Sequence, residues 1–514
     1  MAGLNSKDSI KRGTLFAIAF ACSLFIPSLI YSLQRDPIFT DAIHKPYAYP
    51  PMVKYSYKWP DISSFTHGVP AIANETDIYK EIDQRYCGQD RCRFLLPIAI
   101  TEQESKAQLH FRQLAFLAGK INRTIVLPNV YNSHMGSCLP HPFSFYYDLK
   151  WLDDNKKHFS YITMEDFKAW LLERHYAGVI PSGQEIYMQG TRKSRLLKNI
   201  KNCFKDSFDF SGRPTVSYQL QDHQDQRHIN ITDIMVDLFG DKARQHEYLD
   251  GTIQSRRPMP GAAKEFKVHT GASSSSPPVD VLNLFYDRRY KFINDHDAQA
   301  PLPYSQRWVA VANQISNQLK PYMAIHWRME RLEPASNLLP CAMDLIDKVH
   351  QLVAVDGSAQ KYPNVFLLTD YPHLINATGA RPESNSFRMS ELKNEHHQAI
   401  QYLYQHLNIS LTSVNNNKIP YNQLPSENWH ILPIDASSED SLLPADRSIL
   451  GIVDKLVAMN AQWFFAGRPG VCAKSSSFTG RISNSRRQAF KHGDENIKMA
   501  VETFDMKKTQ PQED

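Results

Sequence analysis

Residues 323–331 read Met-Ala-Ile-His-Trp-Arg-Met-Glu-Arg, an apolar run that ends abruptly in His326, Arg328 and two further charges. Such a run reads as a strand whose carboxyl end opens into a crevice, where open α/β sheets bind their ligands. Arg328 is permanently charged, and its planar fork of donors suits a phosphate. His326 stands two residues earlier and so projects from the same side of a strand. A His-x-Arg pair at a strand end points to a bound diphosphate; the plainer reading is an arginine paired with a carboxylate.

Four other constellations have usable chemistry. Ser475, Ser476, Ser477 and Phe478 follow a strand and a glycine turn and open a helix-like segment. Hydroxyls and backbone N–H groups at a helix start bind anions, and Phe478 offers a face to a base; the plainer reading is an N-cap with a core phenylalanine. Asp370 closes the run Val-Phe-Leu-Leu-Thr-Asp at 365–370, where a carboxylate binds a ribose hydroxyl or a base edge, or caps a turn. Asp454 interrupts an apolar helix and needs a partner if buried. Glu102 and Glu104, in the polar stretch 101–108, are candidates for a general base toward an acceptor hydroxyl, or simply carboxylates favoured at a helix start. Asp295 and Asp297 form the Asp-x-Asp of metal-dependent sugar transferases, but in a polar helical stretch rather than after a strand, so no metal site is expected. There is no Gly-x-Gly-x-x-Gly, P-loop or Gly-x-Ser-x-Gly, which argues against dinucleotide oxidoreductases, NTPases and serine hydrolases.

The elements that must hold these residues alternate. Residues 93–100 read as a buried strand, 106–121 as a helix and 124–128 as a second strand, a strand–helix–strand unit. After a polar, Ser- and Pro-rich stretch at about 240–280, the rhythm returns. Helices at about 304–320, 341–354 and 391–407 lead into strands at 322–328, 365–370 and 409–411. A further strand at 429–433, a helix from Asp446 to about 460 and a strand at 463–466 complete the series. Two α/β halves follow, about 82–300 and 301–504, facing a cleft, with a polar tail at 505–514.

The 514 residues carry a net charge of +5, with 42% hydrophobic and 22% charged residues. This is a globular composition, and without a long basic block no nucleic-acid partner is indicated. Residues 14–33 carry no charge and at ~1.5 Å per residue span a bilayer core. Lys7, Lys11 and Arg12 precede them, so 1–13 read as a cytosolic tail and 14–33 as an uncleaved signal anchor, with a cleaved signal peptide as the alternative. The proline-rich stretch 34–81 reads as a stem, with folding starting near Tyr86. Sequons at Asn74, Asn122, Asn230, Asn376 and Asn408 and six cysteines beyond the anchor agree with lumenal exposure. Their pairing is not readable, although Cys87 and Cys92 are close enough to close a small loop.

Taken together these segments resemble the GDP-fucose protein O-fucosyltransferase-like glycosyltransferases, particularly divergent fungal members. The resemblance rests on Leu-Ala-Phe-Leu-Ala-Gly-Lys-Ile-Asn-Arg-Thr-Ile-Val-Leu-Pro at 114–128, Ile-His-Trp-Arg at 325–328 and Phe-Leu-Leu-Thr-Asp at 366–370. It continues through Ile-Leu-Gly-Ile-Val-Asp at 449–454, Phe-Phe-Ala-Gly-Arg at 464–468 and Cys-Ala-Lys-Ser-Ser-Ser-Phe at 472–478. It implies a GT-B-like α/β fold, two Rossmann-like domains facing a cleft, behind an N-terminal transmembrane helix and stem. It implies transfer of fucose from GDP-fucose to a protein hydroxyl or glycan, with inversion and with no bound metal or resident cofactor, in the Golgi or endoplasmic reticulum membrane. By position, Arg328 would bind the diphosphate, His326 and Asp370 would lie by the guanosine, Ser476 and Ser477 would hold phosphate, and Phe478 would pack near the base, with Asp454 and Ser475 counted among the donor-binding residues. One departure stands out. The family's Gly-rich turn before the first helix is replaced here by residues 102–108, so a catalytically lapsed binding relative, or another nucleotide sugar, remains an alternative.

Overall fold

The computed structural model describes residues 75–507 apart from 190–199, 212, 214, 220–266, 269–278, 288–297, 299, 356–363, 377–378, 383–386, 388, 414–417, 421–428, 435–445 and 447. The expected anchor at 14–33, Asn74, Asn230, Asp295, Asp297, most of the stretch 240–280 and residues 508–514 lie outside the described residues. Among the described residues no helix is long and apolar enough to cross a membrane.

Residues 72–514 group as one compact unit, and it carries two large sheets. The first has a parallel core of β1 (Phe94–Ile100), β2 (Thr124–Val126), β3 (Tyr161–Ile162), β4 (Gly183–Gln189), β5 (Val216–Gln219) and β6 (Val281–Tyr286), in the spatial order β3-β2-β1-β6-β4-β5. Antiparallel strands at Asn129–Tyr131, His134–Gly136 and Lys267–Val268 extend it. The second sheet is wholly parallel. It comprises β7 (Tyr322–Trp327), β8 (Asn364–Thr369), β9 (Ile409–Ser413), β10 (Trp429–Pro433), β11 (Trp463–Gly467) and β12 (Glu502–Phe504), ordered β10-β9-β8-β7-β11-β12. The strand order reverses at β7 and β11 in this sheet and at β1 and β6 in the first, the two places where such sheets open a crevice.

The central strands of both sheets, β1 and β6 in the first and β7, β8 and β11 in the second, are buried on both faces, which is why they read as continuous apolar runs. Along β7, Tyr322 and Ala324 join the core that also holds Leu95, Phe111 and Ile449, whereas Met323, Ile325 and Trp327 join a separate core on the opposite face. His326 and Arg328 continue the first parity, toward the other sheet.

The helices that matter for the site are α1 (Glu75–Cys87), α2 (Glu104–Lys120), α3 (Met164–Tyr176), α4 (Gln306–Leu319), α5 (Leu338–Val355), α6 (Asn394–His406), α7 (Ser448–Asn460) and α8 (Ser477–Lys491). The first corrects the sequence reading. Residues 75–81 were expected in the stem, yet α1 packs on α3. Asp83 in α1 is fully buried and accepts from Trp170 Nε1 (2.7 Å) and the Cys92 N–H (2.8 Å), with Arg174 at 3.3 Å. Three disulfides, Cys87–Cys92, Cys138–Cys203 and Cys341–Cys472, use all six cysteines beyond the expected anchor.

Candidate functional site

A cavity of about 600 Å³ opens where the carboxyl ends of the two sheets face one another. That is ample for a nucleotide-sized ligand. His326, Arg328, Asp370, Asp454, Ser476, Ser477 and Phe478 line it from the second sheet, and Glu102, Glu104 and Ser105 from the first. Ser475 is the one sequence candidate of its cluster that does not reach the lining.

β7 ends by presenting His326 and Arg328 to this cavity. Trp327, of opposite parity, turns away and donates Nε1–H to the Cys472 carbonyl (2.7 Å). The Lys474 N–H donates to the Arg328 carbonyl (3.0 Å), and Cys472 is tied to Cys341 of α5, so the loop between β11 and α8 is fastened to the end of β7. Gly467 permits the close approach, since a Cβ there would stand 2.8 Å from the Ala473 Cβ. The loop delivers Ser476 as the N-cap of α8. Its Oγ accepts from the N–H groups of Phe478 (3.2 Å) and Thr479 (3.5 Å), so the capping reading holds, and the helix start still faces the cavity.

Arg328 is paired with Glu330, which is buried and also lies 3.4 Å from Lys474. The arginine thus lines the cavity and has the carboxylate partner of the plainer sequence reading. Its side chain is 27% exposed, leaving the fork accessible. Asp370 accepts from the Met329 N–H (2.8 Å) and the Glu330 N–H (3.0 Å), which fixes the turn carrying Arg328. Asp454 finds its partner in Thr412 at the end of β9. The ring of Phe478 stacks on His326 (centroids 5.1 Å, planes 22° apart), and Thr479 Oγ1 meets His326 Nδ1 at 2.8 Å.

Across the cavity, Glu104 is engaged on both oxygens. Oε1 accepts from Gln108 Nε2 (2.9 Å), Tyr304 OH (3.0 Å) and Tyr147 OH (3.1 Å), and Oε2 accepts from Ser105 Oγ (3.1 Å) and Lys455 Nζ. Burial pushes its carboxyl up, but the Lys455 ammonium and the tyrosine hydroxyls outweigh that and hold it below its ordinary value. Such a carboxylate is a weak proton acceptor, so the expectation of Glu104 as a base gives way to an anchoring place. Glu102 lines the same wall, with Lys106 at 3.7 Å and 21% of its side chain exposed. Sequence reasoning missed Lys455. Its only local signal is a second charge directly after Asp454 in an otherwise apolar helix.

Of the sequons, Asn122 and Asn408 are exposed, at the end of α2 and just before β9; Asn376 lies in the strand Leu374–Asn376.

The buried titratable groups give stability a pH dependence of known sign. Burial, assisted by the charge of Arg328, pushes His326 down to about 3, and burial alone does the same to His373. Both are neutral when folded and take a proton near 6.5 when unfolded, so their contribution is complete above pH 6.5 and is lost as pH falls below it. Asp370 runs the other way: burial pushes it up to about 6, so its cost fades as pH drops through 6. We expect the melting temperature to fall as pH drops from 7.5, at about 1.4 kcal/mol per pH unit for each net proton, with the slope rising to about one net proton below pH 6, where Asp370 offsets one of the two histidines. A melting temperature that is flat or rises on acidification would contradict this placement of the histidines.

No family model and no curated protein sequence matches this chain. Solved structures similar to it include POFUT1 in complex with GDP, at 13% identity and a TM-score of 0.39, covering 80% of this chain and 98% of that one. POFUT1 in complex with GDP-fucose is similar at 12% identity and a TM-score of 0.38, with the same coverage.

Proposed function

We propose that this chain is an inverting glycosyltransferase that moves fucose from GDP-fucose to a protein hydroxyl or a glycan. The observation that carries this reading is the convergence, on one cavity, of Arg328 at the end of β7 with the N-terminus of α8. Both lie where the strand order of the second sheet reverses, and together they form a cationic, donor-rich seat for a diphosphate. The resemblance of the segments at 114–128, 325–328, 366–370 and 449–478 to the O-fucosyltransferase-like family supplies the identity of the sugar and of the nucleoside. The two sheets then act as the acceptor and donor halves of a GT-B arrangement.

In this mechanism the acceptor oxygen attacks the anomeric carbon from the face opposite the diphosphate. The bond from carbon to the phosphate oxygen breaks, and GDP leaves with the electron pair. Arg328 and the N–H groups at the start of α8 stabilise the charge that develops on the leaving oxygen. Glu102, on the opposite wall, takes the acceptor proton. No metal takes part in this scheme. His326 is neutral and supports Phe478 by stacking. Three disulfides and the exposed sequons at Asn122 and Asn408 support a catalytic region in an oxidising lumen, with residues 14–33 as a type II anchor in the Golgi or endoplasmic reticulum.

A binding-only relative is the second reading, favoured by the engagement of Glu104 with Lys455. One experiment orders the possibilities: thermal shift of the purified protein against GDP, UDP and CMP sugars, followed by an acceptor panel with GDP release as readout. GDP compounds should stabilise selectively, by about 2.7 kcal/mol at a hundred times Kd. An equal response to all three classes, or none, would remove the donor assignment; binding without GDP release across the panel would favour the second reading.

A further inference from the structure

Lys455 is a lysine that the sequence gives no reason to bury. It projects from α7 into the cavity wall with 2% of its side chain exposed. Its ammonium donates to Glu104 and to Ser105 Oγ (3.2 Å), and lies 5.2 Å from the ring centres of both Tyr304 and Phe478. Phe478 belongs to the helix start that faces the diphosphate seat. The ammonium is therefore held between the acceptor-side turn and the donor-side helix.

The charge around it does not balance. Glu104 stands by Lys455 and by Arg112, and Arg112 has Arg481 beside it, over the Tyr304 ring. Arg112 is 4% exposed, and its Nε and Nη1 have no hydrogen-bond partner; Arg481 Nε is likewise buried without one. Burial and the neighbouring Arg481 push Arg112 down to about 10, which still leaves it charged at neutral pH. Three cations are thus gathered behind the cavity wall with guanidinium donors left over, and buried charge is costly until an anion compensates it.

We propose that Lys455 is a ligand of the donor diphosphate, parked on Glu104 while the cavity is empty and transferred to the phosphates when the nucleotide binds. This rests on the nucleoside-diphosphate reading above and adds a second cation to Arg328. The flexible four-carbon stem lets the ammonium swing without backbone movement. Glu104 stays satisfied after the swing, because Gln108, Tyr147 and Tyr304 all remain on Oε1. A compact point charge released from one carboxylate suits a leaving group whose charge grows during the reaction.

The test compares GDP with guanosine, by calorimetric titration of the full-length protein, its Lys455→Met variant and the Lys455→Met/Glu104→Gln double variant. The double variant removes both charges and guards against a fold upset by a stranded carboxylate. In both variants GDP affinity should fall about ten- to a hundred-fold, while guanosine binding stays within twofold. Equal weakening of GDP and guanosine would assign Lys455 a purely structural part, and unchanged GDP affinity would remove it from the diphosphate; either overturns the proposal. Parent protein that binds none of GDP, UDP or CDP would remove the donor reading first and this proposal with it.

Discussion

Arg328→Ala is expected to lower turnover with a saturating donor by ~10²–10³-fold, the usual effect of removing one preorganised donor from a developing charge. The fold should survive. Arg328 lies at the end of β7 rather than inside it, with about a quarter of its side chain exposed (27%). What the substitution does leave is Glu330, buried and now paired only with Lys474 at 3.4 Å. That stranded carboxylate should cost about 1–2 kcal/mol of stability, and it confuses a single-variant experiment. The double variant Arg328→Ala/Glu330→Gln separates the effects, because removing both charges restores stability without restoring turnover. Arg328→Lys should also fall well short of the parent, since an ammonium keeps the charge but loses the two-pronged geometry. Steady-state kinetics and denaturant unfolding on the three variants give both readings. Turnover that recovers in the double variant would mean that Arg328 acts through Glu330 and the turn, not on the leaving group.

The second sheet and the cavity residues it carries are far more legible in the sequence than the first sheet, for a physical reason. The central strands of the second sheet are buried on both faces and so appear as apolar runs such as Val365 to Leu368, separated by periodic helices. Their carboxyl ends are marked where apolar residues stop, at Arg328 and Asp370, and the glycine turn from Gly467 marks the end of β11. The first sheet is mixed, and β4, Gly-Gln-Glu-Ile-Tyr-Met-Gln, carries polar residues that conceal it. Its place comes from pairing with β6, which is nearly 100 residues away in the chain. The site was misread where contacts are most distant. Glu104 reads as a candidate base or a helix-start carboxylate, because Lys455, 351 residues later, is invisible from its local sequence. The Cys341–Cys472 bridge, 131 residues apart, was beyond any spacing rule for the same reason.

The largest stability effect is expected far from the chemistry, at Arg486. This arginine of α8 is fully buried and gives its donors to six backbone carbonyls. Ala458, Met459, Ala461 and Gln462 belong to the end of α7 and the turn after it; Met499 and Ala500 precede β12. The carbonyls that end a helix have no partners of their own, and a cation there also meets the negative end of its dipole. Burial lowers Arg486 to about 10, so it remains charged at neutral pH. Arg486→Met fills the same space; the Gln462 carbonyl keeps the Lys498 and Met499 N–H groups, but each of the other carbonyls left unpartnered and out of reach of water costs about 1–3 kcal/mol. A total loss above about 4 kcal/mol is expected. Arg486→Lys should recover little, because three donors on a flexible stem cannot replace a planar fork that serves six acceptors. The functional consequence follows from what Arg486 joins. α7 carries Asp454 and Lys455, and the start of α8 lines the cavity, so loosening their junction should weaken the proposed nucleotide binding before the chain unfolds globally. Denaturant titration beside GDP titration tests both parts. A methionine variant with the parent's unfolding midpoint would show that these carbonyls find other partners and that the junction of α7 and α8 does not depend on the guanidinium.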